Sequence, residues 1–354
     1  MSRYLSDRFY SLDAYVPGEQ PSEMKYIKLN TNESPFPPPE TIASVAHAGA
    51  GKLNLYPNPD GVRLINRLAE FYEVKPENVI IGNGSDELLA FAFLAFFDAG
   101  VVFPDITYGF YPVYAELYDI SYKEIPVLDD LMINVEDYCS VDSNIVIANP
   151  NAPTGILLGL DEIEKIAQSN PDHIIVIDEA YVDFGGKSAI PLTNKYDNLL
   201  IIHTYSKSRS MAGARLGFAV SSEPVIEDMN KMKYSFNPYN VNSLTQLMGV
   251  AALDEEAYYS EKRREIISNR EYTAKKLKEL GFSITDSCAN FLFGKHPGIG
   301  GFELYSKLKD KGILVRQWNK PRISDYLRIT IGTKEQMDAL ISAVKEILDK
   351  GENR

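Results

Sequence analysis

Three apolar runs in this sequence end in polar residues able to act on a small molecule. Residues 174–177 lead into Asp178-Glu179-Ala180-Tyr181, residues 199–202 into His203-Thr204-Tyr205-Ser206-Lys207, and residues 145–148 into Asn149-Pro150-Asn151-Ala152-Pro153-Thr154-Gly155. Open α/β sheets bind ligands in the crevice outside the carboxyl ends of their strands, so polar residues gathered at such ends are candidates for chemistry. A lysine amine placed there serves as nucleophile or base, a carboxylate as charge partner, and a guanidinium as anion anchor. A fourth run, residues 79–81, enters Gly82-Asn83-Gly84-Ser85-Asp86-Glu87 and then an apolar helix. The free N–H groups of a helix start suit a phosphate, although plain helix capping by Ser85 accounts for the same residues. This turn is no dinucleotide fingerprint, because Glu87 stands where the third glycine would fall.

The elements that must hold these residues are legible as hydrophobic periodicity. Short β-branched runs at 79–81, 101–103, 145–148, 174–177 and 199–202 alternate with helical patterns such as 62–72, 85–97 and 161–168. Near-continuous apolar strands between helices predict an α/β fold with a mostly parallel sheet covered on both faces. Residues 239–280 read as one long helix with few breakers. Beyond it, short strands at 282–284, 290–293 and 326–331 mix with helices at 301–311 and 334–349, which suits a smaller α+β domain. Pro35, Pro37, Pro38 and Pro39 must be extended, and they set off an N-terminal arm. The expected division is an arm over 1–40, a large domain over 41–255 and a small domain over 256–354.

Composition narrows the partners. A net charge of -13 argues against a nucleic-acid or anionic-membrane surface. Two cysteines, Cys139 and Cys288, make no disulfide framework, and four scattered histidines give no zinc spacing, so no metal is expected. No window approaches the ~18 apolar residues of a membrane span, and residues 1–7 lack the apolar core of a signal peptide. The expected location is the cytoplasm.

Taken together, Asp178-Glu179-Ala180-Tyr181, Ser206-Lys207 with the lysine 29 positions after Asp178, and Arg215 eight further on in Gly213-Ala214-Arg215-Leu216-Gly217-Phe218 resemble the fold-type I pyridoxal-phosphate (PLP) aminotransferases. Asn30-Thr31-Asn32-Glu33-Ser34-Pro35, Leu55-Tyr56-Pro57, Thr107-Tyr108-Gly109 and Leu327-Arg328-Ile329-Thr330-Ile331-Gly332 are similar to the branch of that family acting on histidinol phosphate. PLP needs a lysine amine for its aldehyde, an acidic partner that keeps the ring nitrogen protonated, and phosphate anchors. The resemblance gives these roles to Lys207, Asp178 and Arg215, with Ser85, Asp86 and Ser206 beside the phosphate. It further implies that Tyr108 stacks on the ring and Tyr181 bonds the ring's phenolic oxygen. Tyr56 would reach the phosphate of a neighbouring subunit, which implies a homodimer with shared sites.

One departure stands out. The family usually carries asparagine directly before Pro-Thr-Gly, whereas this chain has Ala152 there and Asn151 one position earlier. Either Asn151 takes that role through a shifted loop, or Tyr181 carries more of the load. For substrate, the resemblance points to Arg328 and Arg316 as anion-binding guanidiniums and to Tyr15 as an arm tyrosine touching the substrate phosphate. It implies ping-pong transfer of the amino group of histidinol phosphate to 2-oxoglutarate, glutamate being the other product, with Lys207 moving the α-proton. The competing expectations are an aromatic amino-acid aminotransferase and a lyase resembling threonine-phosphate decarboxylases.

Overall fold

The computed structural model describes residues 3–10, 12–20 and 26–352; residues 1–2 and 353–354, the outer limits of the expected division, lie outside them. The chain begins with strand β1 (Ile27–Lys28), helices α1 (Glu40–Ala50) and α2 (Val62–Tyr72), β2 (Val79–Gly82), α3 (Ser85–Phe96) and β3 (Val101–Pro104). It continues through α4 (Phe110–Tyr118), β4 (Tyr122–Ile125), β5 (Asn144–Ala148), α5 (Leu160–Ser169), β6 (Ile175–Asp178), β7 (Leu199–Thr204) and β8 (Gly217–Val220). Helices α6 (Glu223–Phe236), α7 (Ser243–Asp254) and α8 (Glu256–Glu279) precede β9 (Ser283–Ile284), β10 (Phe291–Lys295), α9 (Gly301–Asp310), β11 (Ile313–Leu314), β12 (Arg316–Gln317), β13 (Leu327–Thr330) and α10 (Lys334–Glu352).

Seven strands form the central sheet in the order β2-β8-β7-β6-β5-β3-β4, and β8 alone runs against the rest. The fold is α/β with a mostly parallel sheet, as the apolar runs predict. Along a strand successive side chains point to opposite faces, so each run feeds two cores. Ile145, Ile147, Ile175, Ile177, Leu199 and Ile201 pack on one face, and Val146, Ala148, Val176, Leu200 and Ile202 on the other. Because β2, β3, β5, β6 and β7 are parallel, their carboxyl ends share one edge. There Asp178 and the Lys207 loop meet the turn after Gly82.

A second sheet, β12-β13-β10-β9, is antiparallel and packs with α8, α9 and α10 around Leu277, Leu292, Leu304, Leu308, Ile313 and Leu340. Part of the N-terminal arm belongs to this core. β1 pairs in parallel with β11, Ile27 opposite Ile313, and Leu29 is buried among the same side chains.

The long helix expected over 239–280 is two helices that meet at Glu255. Its backbone (φ -94, ψ 25) leaves the helical region. The break is fastened from three sides: Arg67 pairs with Asp254 at 2.9 Å, Thr41 donates to Glu255 at 2.6 Å, and Arg209 pairs with Glu256 at 2.9 Å. A run rich in helix formers carries no mark of such a turn, because the bend is imposed by partners far away in sequence.

Candidate active site

A cavity of about 500 Å³ opens at the carboxyl edge of the central sheet and is roofed by residues of β12 and β13 and of the N-terminal segment. Lys207, Asp178, Tyr181, Ser85, Asp86, Tyr108, Ser206, Arg215, Tyr15, Arg316 and Arg328 all line it. Residues scattered from 15 to 328 thus converge on one space. Two expected members do not line it, namely Asn151 and Tyr56.

At the floor, Asp178 ends β6 and is buried at 4% exposure. It accepts from the Tyr111 hydroxyl at 3.1 Å and from the Ala180 N–H at 3.2 Å, and no cation stands against it among the described residues. Burial pushes its carboxyl up from the usual 3.8 to about 6, since the low-dielectric floor disfavours the charge, against the pull of the Tyr111 bond. Such a carboxylate suits a protonated ring nitrogen. Lys207 lies in the loop after β7; its Nζ donates to the Thr31 carbonyl at 3.3 Å and sits 5.8 Å from the Tyr181 ring centroid.

At one end of the cavity, α3 starts from Gly84 at the N-cap (φ 79), so Ser85 is the first helical residue and does not cap the helix. Its hydroxyl is left to the cavity, beside N–H groups that have no partner within the helix. Arg215, itself left-handed (φ 54), lies across this helix start: a Cβ on Gly84 would stand 2.5 Å from its Nη2. Arg215 reaches Asp86 at 3.2 Å and Ser206 at 3.4 Å. Guanidinium, hydroxyls and helix N-terminus together form an anion cradle. Asp86 also accepts from the Tyr108 hydroxyl at 2.9 Å, fixing that ring over the cavity. Burial, reinforced by the Asp86 charge, holds the Tyr108 phenol well above its ordinary value, so it stays protonated as a donor.

The roof carries a second anion site. β12 and β13 are antiparallel, and their register sets Arg316 directly opposite Arg328. Cross-strand neighbours share a face, so both guanidiniums enter the cavity. Neither has a carboxylate partner among the described residues. Arg328 donates to the Asn30 carbonyl at 3.0 Å and leaves its buried Nε without a partner; Arg316 donates to Val16 and Pro17 carbonyls at 3.1 and 3.3 Å. Burial lowers the Arg328 guanidinium from its ordinary value, and the like charge of Arg316 adds to this. Trp318 lies 5.5 and 5.2 Å from the two guanidinium carbons. Tyr15 stacks on Phe110 at 4.2 Å and stands at the mouth between this site and Tyr108.

Asn151 is turned into the protein. Its amide donates to the Ile106 carbonyl at 2.9 Å and to Thr154 at 3.2 Å, while its carbonyl accepts from Thr107 at 2.9 Å. All its polar capacity toward the cavity is spent on bracing the loop that carries Tyr108, and Ala152 lines the cavity instead. Tyr56 is 82% exposed, stacked on Tyr239 at 4.6 Å, within a surface that also exposes Leu53, Leu55 and Phe236.

Two further side chains, Asn32 and Tyr111, hold members of the site. Asn32 donates to the Tyr181 hydroxyl at 3.0 Å and is held by Thr330, while Tyr111 holds Asp178. Asn32 was within a motif that the sequence displays; Tyr111 is one of 22 tyrosines and nothing in the sequence separates it from the others.

Comparison with known proteins agrees with this geometry. Residues 24–344 match the family model described as aminotransferase class I and II. The histidinol-phosphate aminotransferase of Brachyspira hyodysenteriae is 49% identical over 98% of this chain and 99% of its own length, and that of Marinomonas sp. is 49% identical over 98% and 100%. Among solved structures, histidinol-phosphate aminotransferase from Sinorhizobium meliloti in complex with pyridoxal-5'-phosphate superposes with a TM-score of 0.89 over 99% of this chain and all of the other, at 23% identity.

Proposed function

This chain belongs to the class I and II aminotransferases, and on that premise we propose that it transfers the amino group of histidinol phosphate to 2-oxoglutarate, with PLP as cofactor. The observation that carries the substrate assignment is the pair Arg316 and Arg328, register partners without a counter-charge, facing the same cavity as Lys207 and Asp178. An unpaired buried cation is costly unless an anion arrives to pair with it. Paired forks suit the dianionic phosphate of the donor, while a carboxylate of 2-oxoglutarate is satisfied by one of them, so one site accommodates both ligands in turn.

PLP, when bound, supplies an electron sink for the charge left at the substrate α-carbon. Lys207, Asp178, Tyr181 and the cradle of Ser85, Asp86, Ser206 and Arg215 are of the types and positions to hold it. Asp178, almost fully buried at the cavity floor, presents its carboxylate to a ring-nitrogen proton. Lys207 Nζ is placed to take the proton from the substrate α-carbon as base and to give it up as acid at a different carbon, the 1,3-shift that amino transfer requires. Tyr181, tethered by Asn32, offers its hydroxyl toward the cavity beside the lysine. Tyr15 closes the mouth over the anion site. In this reading residues 41–255 hold the cofactor, and the arm 1–40 with residues 256–354 brings the substrate anchors.

The exposed apolar surface around Tyr56 favours a homodimer in which Tyr56 completes the neighbour's cofactor site, as large exposed apolar patches mark protein interfaces. Among the described residues no helix is long and apolar enough to cross a membrane, and a cytoplasmic location goes with an enzyme for small soluble substrates. A half-reaction screen of amino donors, read from the cofactor spectrum, tests the assignment: histidinol phosphate converts the bound cofactor to its amine form faster than phenylalanine or tyrosine. The reverse order assigns the enzyme to aromatic amino acids. Release of carbon dioxide from threonine phosphate without the amine form makes it a lyase.

A further inference from the structure

The two arginines of the roof stand on the stems of one hairpin, and the loop between β12 and β13 does not hang free. It crosses to the large domain and grips the segment that follows β3. Arg322 Nη1 pairs with Asp105 Oδ2 at 3.0 Å, and its Nη2 donates to the carbonyls of Val127 and Leu128 at 2.8 and 2.9 Å. Lys320 Nζ donates to the Asp105 carbonyl at 2.6 Å and stands 3.8 Å from Glu124. Asp105 is braced from its own side, its Oδ1 accepting from the Val127 N–H at 2.9 Å. Arg322 holds this grip with a left-handed backbone (φ 69), a conformation that bulky residues adopt only where their surroundings over-determine it.

We infer that Arg322 and Asp105 form an interdomain latch that sets the separation and orientation of Arg316 and Arg328, making Arg322 a positioning residue for the phosphate end of the amino donor. The inference rests on the substrate reading given above. Its physical basis is continuity. Asp105 is followed by Ile106, Thr107 and Tyr108, whose loop is fixed from below by Asn151, so the latch ties the anion hairpin to the segment that positions the Tyr108 ring. Two residue pairs join β12 to β13 and Gln317 donates to the Ser324 carbonyl within the loop, while β13 is held from its other edge by four pairs to β10, so it is the β12 side carrying Arg316 that the latch has to steady. With the tip released, the hairpin stems splay and the two forks no longer converge on one phosphate. A substrate whose phosphate needs both arginines suffers more than one whose carboxylate is satisfied by a single fork.

The lone tryptophan, Trp318, has both guanidinium carbons within 5.5 Å of its ring centroid and provides a reporter that needs no turnover. The experiment titrates the holoenzyme with inorganic phosphate while Trp318 emission is followed, in wild type, Arg322→Met, Arg322→Lys and Asp105→Asn. Wild type shows a saturable emission change that Arg328→Ala abolishes. In Arg322→Met and in Asp105→Asn the phosphate affinity falls roughly five- to tenfold, since the contacts are only partly buried, and Arg322→Lys lies between because one ammonium cannot span the carboxylate and both carbonyls. KM for histidinol phosphate rises by a similar factor, with kcat and KM for 2-oxoglutarate changing less than about threefold. No phosphate-dependent emission change in wild type overturns the anion-site reading itself. Wild-type binding with undiminished affinity in folded Arg322→Met and Asp105→Asn overturns the latch alone, and equal losses for both substrates reduce it to a fold-maintaining contact. If Arg322→Met does not fold, the comparison of Asp105→Asn with Arg322→Lys decides the same question.

Discussion

Asp178→Asn separates the cost of the active-site floor from its use. Burial raises the Asp178 carboxyl from 3.8 to about 6, roughly two units, with no cation hydrogen-bonded to it among the described residues. At 1.36 kcal/mol per unit, ionising this group in the folded cofactor-free protein costs on the order of 3 kcal/mol relative to the unfolded chain. The sign follows from proton binding. Between about pH 4 and pH 6 the folded state holds a proton that the unfolded state has lost, so the stability contributed by Asp178 is complete below pH 4 and disappears as pH rises through 6. Asparagine does not titrate, and its amide retains partners in Tyr111 and the Ala180 N–H. With an unfolding entropy of about 2.1 cal/mol/K per residue, 354 residues convert ~3 kcal/mol into about 4 °C of Tm. Thermal unfolding of the cofactor-free proteins at pH 4 and pH 8 checks this: the variant melts near wild type at pH 4 and about 4 °C above it at pH 8. With PLP present the order reverses, since the neutral amide cannot hold the ring-nitrogen proton, and turnover drops by orders of magnitude. A cofactor-free variant that melts at or below wild type at pH 8, or pH profiles that run parallel, refutes the account of a strained carboxylate awaiting its counter-charge.

Lys207→Ala abolishes transamination but retains PLP without a covalent link, because the cradle around Arg215 does not depend on the lysine; borohydride reduction that still fixes cofactor to the protein shows the wrong lysine was chosen. Arg316→Ala raises KM for histidinol phosphate roughly ten- to hundredfold and for 2-oxoglutarate less, the loss of one charge-assisted contact costing about 1.5 to 3 kcal/mol. Arg328→Ala damages both half-reactions, and steady-state kinetics with each substrate varied distinguish the two arginines. Tyr56→Phe loosens PLP, and hybrids of it with Lys207→Ala contain one site with both defects and one with neither. Dialysis against cofactor-free buffer and activity recovered on mixing report these effects; absence of recovery at every mixing ratio removes Tyr56 from the neighbour's site.

How much of this site could be read in advance depended on whether a residue's role is carried by its own strand or by another. Apolar runs of β-branched residues are local signals, and the polar residues at their carboxyl ends follow from chain direction, so the sheet, Asp178, Lys207 and Arg215 were legible from spacing and type together with the family resemblance. The role of Ser85 is decided by the fold: Gly84 holds the cap position and leaves the serine hydroxyl to the cavity. Asn151 likewise reads in the sequence as a shifted substitute for the asparagine missing at Ala152, yet the Ile106 carbonyl and the hydroxyls of Thr107 and Thr154 claim its amide. Residues 239–280 carry helical propensity throughout, and the break at Glu255 comes from partners near residues 41, 67 and 209. The sequence alone thus determined which chemical groups are present and which strands deliver them. Tertiary structure decided that Arg316 faces Arg328 with no carboxylate partner among the described residues, that Tyr111 and Asn32 hold the acid and the phenol, and that Arg322 pairs with Asp105. These last facts depend on register and on contacts between segments 67 to 217 residues apart, and neither periodicity nor local propensity constrains which distant side chain fills a given space.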